Sequence, residues 1–143
     1  MMVQAVAADE LSQGQKVYVP VYSHVYSGDR ENPLLLTAIL SVRNTDQATA
    51  ITVTAVDYFD TDGQLLRRYL EKPVEVGALA SVRYVVAESD RSGGSGAKFI
   101  VAWRAATPVN PPILETVMIG TRMQQGISFV TRGQVIHDTG ARP

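Results

Sequence analysis

Between Leu34 and Leu70 apolar residues recur at every second position, in short runs broken by turn-forming residues, and this pattern admits little besides β-structure. Two runs, Leu34 to Asn44 and Thr49 to Phe59, flank the polar segment Thr45-Asp46-Gln47-Ala48. A second turn, Asp60-Thr61-Asp62-Gly63, leads into Gln64 to Leu70. Runs joined by short polar turns predict an antiparallel meander, because such turns return the chain alongside itself. In the first run Leu34, Leu36, Ala38, Leu40 and Val42 alternate with Leu35, Thr37, Ile39, Ser41 and Arg43. In the second, Ile51, Val53, Ala55 and Phe59 are assigned to one face, and Thr52 and Thr54 to the other.

The same period runs through the rest of the chain. Lys16 to Tyr26 places Val17, Val19, Val21 and Val25 on one face and Tyr18, Pro20, Tyr22, His24 and Tyr26 on the other. Proline has no N–H for a ladder, so Pro20 predicts a sheet edge or a break there. Leu79 to Ala87 sets Val82, Tyr84 and Val86 against Ser81, Arg83 and Val85. Lys98 to Arg104 is apolar on both faces in its middle, the pattern of a central strand. Ala105 to Pro112 reads as a proline-rich loop, and Ile113 to Ile119 and Ile127 to Val130 as the last strands. About eight short strands at intervals of roughly ten residues predict an all-β, immunoglobulin-like antiparallel β-sandwich of 7–8 strands, with a small β-barrel as the alternative. The domain spans residues 16–133, between a leader (1–15) and a polar tail (134–143).

Composition narrows the function. The 143 residues are 45% hydrophobic with a net charge of −1, which gives a globular chain a core but no field to gather nucleic acid. Cysteine is absent, which excludes disulfides, thiolate catalysis and cysteine-based metal sites. No apolar run reaches the ~20 residues of a transmembrane helix. Met1 to Asp9 reads either as the end of a trimmed secretory signal, with small residues Ala5, Ala7 and Ala8, or as an ordinary leader.

Candidate sites are few. Asp57, Asp60 and Asp62 before Gly63 form the densest carboxylate group, and Asp60 and Asp62 fit positions three and five of a calcium loop. Positions one and twelve are then Tyr58 and Tyr69, which cannot ligate, so a hairpin turn accounts for these residues better. His24 and His137 are far apart in sequence, and Gly93, Gly94 and Gly96 before Lys98 match no phosphate-loop spacing. No catalytic constellation appears, no enzyme is expected, and no cofactor is implied. The feature that points to binding is the row Tyr18, Tyr22 and Tyr26 with His24 among them, a stiff amphipathic surface if exposed and core if not.

Lys16-Val17-Tyr18-Val19-Pro20-Val21-Tyr22-Ser23, Leu40-Ser41-Val42-Arg43-Asn44-Thr45-Asp46, Tyr58-Phe59-Asp60-Thr61-Asp62-Gly63 and Phe99-Ile100-Val101-Ala102-Trp103 together resemble the bacterial Domain of Unknown Function 3124 family. The resemblance runs from Leu11 to Gln134 and implies a small exported protein of the periplasm or exterior, with no assigned activity. The order of strands and turns is also similar, at the level of fold, to the soluble transducer of a bacterial sensory rhodopsin, which keeps self-association open. The expectation is a non-enzymatic exported module that binds a protein partner or itself through an edge strand, with a small-ligand or metal sensor as the alternative.

Overall fold

A computed structural model of the chain describes residues 10–27, 32–88, 90–120 and 126–139. The trimmed-signal reading of residues 5–8 lies outside them. Twelve strands follow one another: β1 (Ser12–Val21), β2 (His24–Ser27), β3 (Asn32–Leu35), β4 (Thr37–Arg43), β5 (Ile51–Phe59), β6 (Leu65–Arg68), β7 (Val74–Val76), β8 (Ser81–Val86), β9 (Ala97–Val109), β10 (Ile113–Gly120), β11 (Ile127–Arg132) and β12 (Gln134–Asp138). No described residue is helical.

The strands form two antiparallel sheets and a hairpin. The larger sheet runs β12-β1-β9-β5-β6, with β7 also on β5, the smaller runs β11-β10-β4-β8, and β2 pairs β3. Each large sheet keeps two distinct edges, so the architecture is a β-sandwich and not a barrel. Twelve strands form where the sequence predicts about eight, because two long runs break and because β7 and β12 form outside the predicted strands. β1 begins inside the segment read as leader, and β9 runs on to Val109, where it pairs with Ser12, which corrects the reading of Ala105 to Pro112 as a loop throughout.

Alternation decides the core. Val17, Val19 and Val21 of β1 and Phe99, Val101 and Trp103 of β9 face Ala38, Leu40 and Val42 of β4 and Leu114 and Met118 of β10, all buried. In β5 the register shifts between Val53 and Ala55, so the buried set is Ile51, Val53, Val56 and Tyr58. The expectation for Ala55 and Phe59 fails there, since one extra residue in a strand reverses which side chains point inward. Aromatic rings pack against this core: Tyr22 stands edge-on to Phe129 at 5.4 Å, and Tyr69 meets Phe99 at 5.4 Å and Tyr84 at 6.1 Å.

The meander is half realised. β5 and β6 form the hairpin over Asp60 to Gly63, but β4 and β5 lie in different sheets. The segment 44–50 is therefore a crossover between layers. β4 takes its neighbours from far along the chain, β8 on one side and β10 on the other.

Candidate interaction surface

Tyr18 and Tyr22 do not end on one surface. Strand β1 lies between β9 and β12, inside the larger sheet, which corrects the expectation of an edge strand. Its pairing with β12 ends at Tyr18, and Pro20 sits just beyond, where no N–H is needed. The Pro20 carbonyl there accepts from the hydroxyls of Thr116 and Thr131, each at 2.7 Å, which ties the two sheets together. Tyr18 is half-buried on the outer face, directly opposite Ile100 and Gln134. At Ser23 the run breaks, because its backbone N–H and hydroxyl both donate to the Gly94 carbonyl, at 3.0 and 3.1 Å. Tyr22 packs against the core, His24 starts β2 half-buried, and the Tyr26 side chain lies outside the described residues.

Of the polar candidates, Asp60 fastens a loop. The Asp60 carboxylate accepts the N–H groups of Asp62 (2.9 Å) and Gln64 (2.8 Å), the hydrogen bonds of a tight turn that places Gly63 at φ 87°. Asp57 lies on β5 opposite Arg68, and Asp62 is exposed on the turn. The described residues hold no cluster of three metal-ligating side chains. The glycine loop packs on this turn: the Thr61 hydroxyl donates to the Gly93 carbonyl at 3.0 Å, and the Lys98 ammonium donates to the Asp60 carbonyl at 2.9 Å. Gly93 is required by contact, since a Cβ there would stand 1.9 Å from the Tyr58 hydroxyl oxygen. His137 lies on β12 opposite Lys16, apart from His24.

At the opposite end Asn44 and Asp46 organise three connections. The Asn44 side-chain N–H₂ donates to the carbonyls of Thr49, Val76 and Gly77 at 3.0–3.1 Å, and its oxygen accepts from the Asp46 N–H at 3.0 Å. Asp46 accepts from the N–H groups of Ala48, Thr49 and Asn110, and these bonds hold its carboxyl below the ordinary range. A cleft of about 380 Å³ opens where β11 crosses into β12, but its polar floor is committed. There Asp138 accepts from Ser12 at 2.8 Å and from Gln15 at 3.0 Å.

What remains open is the outer face of the smaller sheet. Register sets Val130, Val117, Ile39 and Val85 side by side across β11, β10, β4 and β8, a continuous aliphatic row over all four strands. Val130 is 56% exposed and Val85 45%, while Ile39 and Val117 between them are half-buried. The next row on one side is Arg132, Glu115, Ser41 and Arg83, and on the other Ser128, Ile119 and Thr37. Glu115 pairs with Arg43 at 3.4 Å, the one ion pair among the described residues, which leaves Arg83 and Arg132 without a carboxylate partner. The sequence shows each aliphatic residue singly, on the faces opposite the core. Only the pairing of β4 with both β8 and β10 lines them up.

Residues 14–136 match the family model described as Protein of unknown function (DUF3124). The chain belongs to that family. No curated protein matches. Among solved structures, that of Thermotoga maritima 1070 is similar with a TM-score of 0.49 and 10% identity, over 86% of this chain and 93% of that one. No helix among the described residues is long and apolar enough to cross a membrane.

Proposed function

We propose that this DUF3124 chain is a non-enzymatic binding module that holds a protein partner on the outer face of its four-stranded sheet. The observation that carries this reading is the row Val130-Val117-Ile39-Val85, a contiguous apolar strip open to solvent and rimmed by the arginines 83 and 132. Apolar strips with polar rims are the usual make-up of docking surfaces, since their burial returns ~25 cal/mol per Å² while the rim keeps the free protein in solution. The polar groups suited to chemistry support the same reading, because Asn44, Asp46, Asp60 and Ser23 are each engaged in holding a loop. Residence in the periplasm or exterior belongs to the proposal through the family resemblance, and fractionation of expressing cells checks it.

The test is a photo-crosslinking benzoylphenylalanine at position 117 of the full chain. An adduct is expected, and Ile39→Lys on the same face should abolish it while the circular dichroism spectrum stays unchanged. No adduct, or an adduct indifferent to Ile39→Lys, refutes the reading.

A further inference from the structure

We propose that the occupant of this face is a second copy of the chain, packed sheet to sheet about a two-fold axis lying along the aliphatic row. The inference rests on the reading of the face as a docking surface and adds its occupant and geometry.

The row is built from β-branched residues standing on a pleated sheet, the same composition that fills the sandwich interior. A flat ridge of this kind is complementary to another sheet about 10 Å away. A two-fold contact is isologous, so the face must complement itself, and its charges decide how. An axis parallel to the strands would lay β11 over the mate's β8 and bring Arg132 onto the mate's Arg83. Like charges would then meet in a closing interface. An axis along the row lays each strand over its own counterpart. Val117 then meets Val117, and Arg132 falls over Ser128, two residues beyond Val130 on the same strand. Glu115 keeps its Arg43 partner within its own copy.

The area suits a weak, reversible pair. Four strands ~4.8 Å apart and the three residue rows that overlap about this axis, ~6.7 Å apart, give a footprint of roughly 390 Å² per copy, so about 800 Å² in total, the size of a transient contact.

Sedimentation of the purified full chain from micromolar to submillimolar concentration tests the proposal. The expected species is twice the 15.5 kDa chain mass. Val117→Lys, which sets two ammonium groups face to face on the axis, should weaken the dimer at least a hundredfold with an unchanged far-ultraviolet spectrum. Ser128→Glu places a carboxylate opposite the mate's Arg132 and should tighten it about two- to fivefold at low salt, an effect lost at high salt. A monomer throughout overturns the proposal, as does a dimer that tolerates Val117→Lys or ignores Ser128→Glu. The crosslink at position 117 separates the two levels of inference. An adduct of twice the chain mass supports both. An adduct of any other mass overturns the second copy and leaves the docking surface standing, and the absence of any adduct overturns both.

Discussion

Replacing Asn44 with alanine removes a buried amide, 3% exposed, that serves four backbone groups from two connections. Its two amide protons are shared among the carbonyls of Thr49, Val76 and Gly77, and its oxygen holds the Asp46 N–H. At ~1 kcal/mol net for each of two donated protons and one accepted bond, the loss is about 3 kcal/mol. Against a total stability of roughly 5–15 kcal/mol that is a large fraction, corresponding to a melting temperature lower by about 6–12 °C in a domain of this size. Trp103 is the single tryptophan and is 2% exposed, so its fluorescence reports urea unfolding directly. Asn44→Asp sharpens the test. A carboxylate only accepts, and three carbonyl oxygens would face it, so at neutral pH aspartate should cost more than alanine and recover as acid protonates it. A loss under about 1 kcal/mol for alanine, or an aspartate variant as stable as the parent at pH 7, would refute the role of Asn44 as the tie between loops.

Other perturbations follow the same contacts. Gly93→Ala should cost ~1–3 kcal/mol, because its Cβ meets the Tyr58 hydroxyl oxygen at 1.9 Å and the ring carbon bearing it at 2.7 Å. Adding Tyr58→Phe should recover part of that loss in a double-mutant cycle, and strictly additive costs would show that the two residues do not touch. The Asp46 carboxyl has a folded pKa below its ordinary value of 3.8, so its contribution is fully present above that value and is lost as pH falls through the folded one. Asp46→Asn should therefore flatten the acid limb of stability below pH 4, read from melting temperatures between pH 2 and 7, and an unchanged acid limb would count against these bonds.

The alternation of apolar residues made the fold class legible, since a period of two lets a strand bury one face whatever its neighbours are. The inward faces of β4, β8 and β1 from Lys16 onward follow it residue by residue. The carboxylates of Asp60 and Asp62 were also readable as a turn, because Asp and Gly satisfy turn geometry locally. In β5 the reading lost phase at a bulge, which depends on the partner strand β9 and has no signal in the run itself.

The outer face of the smaller sheet illustrates the boundary most clearly. Sequence alone settled that Val17, Leu40 and Val101 belong to strands with a buried face, because hydrophobic burial acts on each strand separately. It could not settle that β4 leaves β5 for the other sheet, that β1 lies inside its sheet, or that Val130, Val117, Ile39 and Val85 form a row. Those are statements about pairing between residues tens of positions apart, fixed by the register that best closes the whole core, and no single strand carries that information.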